Sequence, residues 1–92
     1  MADCRYRRRP DVMFTIVSGE VLALDVEGGN CFGMDPVASE VWNLLAEPHT
    51  TDELCTALLA RFNVEPEQCR EETAALIEHF RNEGLIDAQP VS

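Results

Sequence analysis

The sequence predicts an α+β domain in which a three-stranded antiparallel sheet is followed by three helices. Three observations predict it. Two apolar runs end on hairpin dipeptides, Ser18-Gly19 and Gly28-Gly29, so three short strands succeed one another through tight turns. An Asp35-Pro36 pair then gives a helix start signal. From there, apolar residues recur at helical spacing in three segments, separated at Pro48 and at Asn63–Glu65.

The first strand is expected over Val12–Val17, a run rich in β-branched and aromatic residues. The second covers Glu20–Val26 and the third, short and uncharged, Cys31–Met34. With two-residue loops, alternation puts Phe14, Ile16, Val21, Ala23, Phe32 and Met34 on one face, and Met13, Leu22, Leu24, Val26 and Cys31 on the other. Both sets are apolar, so the pattern leaves open which face meets the helices. A one-residue change in either turn would exchange them.

The first helix has Asp35 as N-cap and Pro36 at N1, and carries Val37, Ala38, Val41, Trp42, Leu44 and Leu45, with Trp42 a core anchor. The second begins on the capping-box pattern Thr50-Thr51-Asp52-Glu53 and runs through Leu54, Leu58, Leu59 and Phe62. The third spans Pro66–Glu83, with Cys69, Thr73, Leu76, Ile77 and Phe80 on one stripe and Gly84 as its stop. Leu85-Ile86 returns to the core. Residues 1–11 are expected as a basic arm, either loose or leading into a strand, 12–86 as the domain and 87–92 as a C-terminal tail that is frayed from Gln89. Three strands followed by three helices, the last two joined by a short turn, give a winged helix-turn-helix-like outline.

A chain of 92 residues with 46% hydrophobic content makes one small domain. Its formal charge is −10 and it has no lysine. Arg5, Arg7, Arg8 and Arg9 share the first ten residues with a single acid, Asp3, which leaves 16 acids against 3 arginines, or −13, beyond them. Such a body disfavours nucleic acid and anionic lipid. No signal-peptide pattern and no membrane-spanning stretch is present, and the expected home is a reducing cytoplasm. Cys4, Cys31, Cys55 and Cys69 form no Cys-x-x-Cys pair, and His49 and His79 complete no ligand set around them, so neither metal nor cofactor is expected. Cys31, Cys55 and Cys69 read as small apolar packing residues.

The motifs of hydrolases, P-loop proteins and zincins are missing. His79, flanked by Glu78 and Arg81, reads as a solvated histidine with an ion-pair neighbour, and Glu65, Glu67, Glu71 and Glu72 as acids at the positive end of a helix. An enzyme is not expected. DNA binding is the rival suggested by the outline, but Glu67, Glu71, Glu72, Glu78 and Glu83 outnumber Arg70 and Arg81 on the helix that would read bases.

The remaining feature is an open strand edge. Pro10 and the arginines approach the first strand, a familiar way to block strand addition, whereas no Lys, Glu or Pro guards Cys31–Met34. An extended peptide could pair there and lay side chains against the third helix at Glu72, Thr73, Leu76 and Phe80, of which Leu76 is expected to be core.

Residues 12–86 resemble the PqqD-like family, the leader-peptide recognition elements of ribosomally made, modified peptides. The likeness rests on Val21-Leu22-Ala23-Leu24-Asp25, Gly29, Cys31-Phe32-Gly33-Met34-Asp35-Pro36, Val41-Trp42 and Leu44-Leu45. Thr51-Asp52-Glu53-Leu54, Phe62-Asn63-Val64 and Gly84-Leu85-Ile86 extend it. The resemblance implies a protein without activity of its own. It would bind a precursor leader as a strand between the third strand and the third helix, and present it to a leader peptidase or other modifying enzyme. The implied site is Val26, Cys31, Phe32, Gly33 and Met34 on the strands and Glu72, Thr73, Leu76 and Phe80 on the helix. Glu72 matches the family's acidic residue early in that helix. Cys31 departs from a family aromatic, which shifts weight onto Phe32 and the strand backbone. A lasso-peptide pathway is the preferred setting, and a PqqD-type chaperone of pyrroloquinoline quinone biosynthesis the alternative.

Overall fold

The computed structural model describes residues 4–25 and 28–90. In chain order the elements are β1 (Cys4–Arg8), β2 (Met13–Val17), β3 (Glu20–Asp25), β4 (Asn30–Gly33), α1 (Pro36–Leu44), α2 (Thr51–Arg61), α3 (Pro66–Asn82) and β5 (Ile86–Pro90). The three expected strands are β2, β3 and β4, forming an antiparallel sheet in that order. Ser18 and Gly19 hold φ of 52° and 82°, the two left-handed positions that a two-residue hairpin of matching twist needs.

The register places Phe14, Ala23 and Phe32 opposite one another, and Ile16 opposite Val21. Val21 and Ala23 are buried with Met34 among α-helical residues, so this face meets the core. The other face carries Met13, Leu22, Leu24 and Cys31, none of them buried. Trp42, Leu45, Leu54, Leu58 and Leu85 form the interior, with Trp42 edge-on to Phe14 and Phe80 at centroid distances of 5.6 and 5.8 Å.

The helix signals act as read. Asp35 Oδ1 accepts the Ala38 N–H at 2.8 Å. Thr50 and Glu53 exchange both bonds of a capping box, at 3.2 and 2.8 Å. That bond from the Thr50 amide holds the Glu53 carboxyl below its usual range, with Arg5 and His49 reinforcing it. Gly84, at φ 73°, ends α3 in a Schellman turn: its own N–H donates to Arg81 O and that of Leu85 to Phe80 O.

At the N-terminus the strand alternative holds and the loose arm does not, and at the C-terminus a strand to Pro90 corrects the frayed tail. β1 pairs antiparallel with β5, from Cys4 opposite Pro90 to Arg8 opposite Ile86. On its other side, Tyr6 exchanges backbone bonds with His49 at 2.8 and 3.0 Å, and the Arg8 N–H donates to Leu45 O at 2.8 Å. In the extended strand Arg5 is exposed, while Tyr6 packs on the core and Arg8 lies over the Phe14 and Trp42 rings, so a basic run need not be loose.

Candidate functional site

The site is built on the free side of β4. Met34 lies opposite Val21 in the continued register, and its N–H donates to Val21 O at 2.9 Å. Antiparallel bonding alternates, so Phe32 and Asn30 also turn their backbone groups toward β3, while Cys31 and Gly33 turn theirs outward. β4 is the last strand of its sheet. The open edge therefore offers the N–H and C=O of two residues, set in a strand without charge.

Ser39 fixes where this edge sits. Val21 N–H donates to its hydroxyl at 2.9 Å, and the hydroxyl donates to Met34 O at 3.1 Å. The serine stands where a direct Val21–Met34 bond would close the ladder, and it joins α1 to both strands. It is only 3% exposed, so no water competes for these groups. Sequence reading passed over Ser39 because a serine within an apolar helix stripe carries no signal of what it bonds.

α3 borders the site. Phe32 is half-buried and meets the His79 ring edge-on at 6.4 Å, while His79 leans on Phe80 at 6.5 Å. His79 is exposed, as expected, but its neighbours are aromatic and no ion pair to it is found among the described residues, which corrects the expected ion-pair neighbour. The helical candidates divide the other way from expectation. Thr73 and Phe80 are core, 2% exposed each, whereas Leu76 is only partly buried and Glu72 is exposed. Ile77 is core instead, because the buried line of α3 runs through Cys69, Thr73, Ile77 and Phe80 where the helix packs against α2 and β5.

Among the strand candidates, Met34 is a core side chain whose N–H is spent on β3, so it borders the site without facing it. Cys31 and Gly33 are exposed. Val26 lies outside the described residues. The accessible set is thus Cys31, Phe32 and Gly33 with Glu72, Leu76 and His79. Beyond the C-terminal end of β4, Val37, Leu58, Phe62 and Val64 line a small apolar pocket with Glu72 and Thr73.

The cysteines also part company. Cys55 and Cys69 are buried, and burial pushes the Cys55 thiol up. Cys31 is exposed on the sheet's outer face, not a packing residue. In the folded protein a thiol reagent is expected to label Cys31 quickly, and Cys55 and Cys69 only on unfolding. Equal labelling of all three would contradict this core.

Comparison with known proteins adds to this geometry. Residues 20–86 match the family described as Coenzyme PQQ synthesis protein D (PqqD). A solved structure, TbiB1 in complex with the TbiA(beta) leader peptide, superposes with a TM-score of 0.79 at 25% identity, covering 88% of this chain and 94% of that one. A second, lasso peptide synthetase B1 complexed with the leader peptide, gives 0.78 at 20% identity over 89% and 96% of the two chains, a likeness of fold. No curated protein matches.

Proposed function

This chain belongs to the PqqD family, and from that premise we propose that it is a non-catalytic leader-peptide-binding protein of lasso peptide biosynthesis. It takes up the leader of a ribosomally made precursor as an added strand on β4 and delivers it to a leader peptidase or other modifying enzyme, in the cytoplasm where such precursors are made. The observation that carries this reading is the open β4 edge beside α3, in a chain 25% identical to a protein solved with a leader peptide.

A strand on β4 would bond the backbones of Cys31 and Gly33 and alternate its side chains. Those on the core side would lie between Phe32 and the exposed flank of α3, at Glu72, Leu76 and His79. The small apolar pocket at Val37 and Phe62 suits the tip of one aliphatic side chain where the strand runs past β4. The acids of α3 suit a leader carrying positive charge, while they repel the phosphates of DNA.

The test is fluorescence polarisation with a labelled leader from a small precursor gene beside this one, with random duplex DNA as control. Saturable leader binding that weakens with salt, slows Cys31 labelling and has no counterpart with DNA is the expected result. DNA binding without leader binding would overturn the reading. Salt-independent leader binding would remove the electrostatic part alone.

A further inference from the structure

Among the described residues five large apolar side chains are exposed, and four of them stand on one five-residue strand: Met13 (59%), Phe14 (38%), Ile16 (56%) and Val17 (57%) of β2. β2 is the other outer strand of the sheet. The two-residue loop makes Val17 and Glu20 a bonded pair. Thr15 and Met13 then follow in facing β3, while Phe14 and Ile16 turn their N–H and C=O away from the sheet. Among the described residues neither Pro10 nor an arginine bonds the outward backbone groups of Phe14 and Ile16, although the Arg8 guanidinium lies against the Phe14 ring. Pro10 lies in the turn closed by the Val12 N–H to Arg9 O bond, ahead of the strand, and the arginines belong to β1 and that turn.

Beside the edge is the chain's basic region. A cavity of about 220 Å³ is lined by Arg7, Arg8 and Arg9 together with Phe14 and Trp42. The Arg8 guanidinium lies 4.7 Å from the Phe14 ring centroid and 5.6 Å from that of Trp42, a placement that holds the cation at the strand. Arg9 is shared between Asp11 and Asp87, at 3.4 and 4.0 Å. Arg7 and Arg8 have no carboxylate partner among the described residues.

We propose that β2 is a second docking edge, which takes an extended acidic segment of a partner protein. The segment pairs with the backbones of Phe14 and Ile16, covers the strand's apolar side chains and places a carboxylate against Arg7 and Arg8. The choice of occupant rests on charge. Elsewhere the chain repels acids, being −13 outside its first ten residues, so these guanidiniums select an anionic strand and set its register. A second copy is the poorer occupant, since two chains of −10 repel each other. Because β3 separates β2 from β4, both edges can be filled at once. One sheet would then hold two foreign strands four inter-strand spacings apart, roughly 19 Å. The proposal does not depend on what occupies β4.

The probe is a short blocked peptide of alternating valine and glutamate, with the valine–lysine peptide as control, followed by amide hydrogen exchange of the full chain. At millimolar valine–glutamate peptide, exchange at Phe14 and Ile16 is expected to slow about tenfold. Cys31 and Gly33 are expected not to change, and the lysine peptide to do nothing. Ile16→Pro removes an outward N–H where an edge strand tolerates proline, and it should abolish the effect. Arg8→Glu should do the same without touching the strand backbone, which keeps the proposal open to refutation if the proline variant folds poorly. An equal response to both peptides, protection at Cys31 and Gly33 instead, or no protection overturns it. So does a peptide-free dimer, seen by sedimentation, with Phe14 and Ile16 already protected. Leader binding reads on the β4 amides, so its failure is distinct from this one.

Discussion

A Phe32→Arg variant is expected to keep its fold and lose leader affinity by about 100-fold, the scale of removing a central aromatic anchor. Phe32 is only half-buried and contacts the exposed His79, so an arginine can extend past α3 into solvent with little loss of core. For a leader the change is severe. The ring borders the channel that a strand on β4 must share with α3, and a guanidinium there meets any positive leader residue with like charge. Polarisation titrations beside a thermal melt separate the two effects. An unchanged affinity with an unchanged melt would mean that the leader lies elsewhere.

The second large effect concerns stability. Trp42→Ala is expected to cost about 3–5 kcal/mol, the range for truncating a large buried aromatic. Small domains hold roughly 5–15 kcal/mol in all, so the variant should be close to unfolding at room temperature. Trp42 is fully buried and touches both Phe14 of the sheet and Phe80 of α3, which makes it the joint between the two layers. Its indole Nε1 has no hydrogen-bond partner among the described residues. Trp42→Phe therefore removes an unsatisfied donor along with some volume, and should cost far less than alanine. Urea titration of the three proteins checks the order. A Trp42→Ala protein as stable as the parent would displace Trp42 from the centre of the core.

Most of the fold was legible because its signals are local. Ser18-Gly19, Asp35-Pro36, Thr50–Glu53 and Gly84 each specify a turn or cap through their own backbone needs, whatever surrounds them. β1 and β5 were not, since neither has a periodicity strong enough to stand out. Cys-Arg-Tyr-Arg-Arg is charged, and Ile-Asp-Ala-Gln-Pro is short and polar. Only the opposition of Arg7 to Asp87 in the register hints at a pairing, and nothing local proposes it. Within the candidate site, the open edge of β4 could be read from its composition. The division of α3 could not, because Leu76 and Ile77 are adjacent and equally apolar. The way α3 packs against α2 and β5 decides which one is covered. His79 escaped for a similar reason, since its partner Phe32 lies 47 positions away in sequence.

The pairing of β1 with β5 also bears on the order in which the molecule assembles. The hairpins of β2–β4 and the α2–α3 pair close loops of a few residues, whereas bringing Cys4 opposite Pro90 closes almost the whole chain. Loop-closure entropy rises with length, so this seam is disfavoured until the interior has condensed. The last contacts made are the first to open in a reversible chain. The amides of β1 and β5 should accordingly exchange by a partial opening that leaves the meander and its two edges intact. Exchange of all strands at one common rate would instead mark a single cooperative unit.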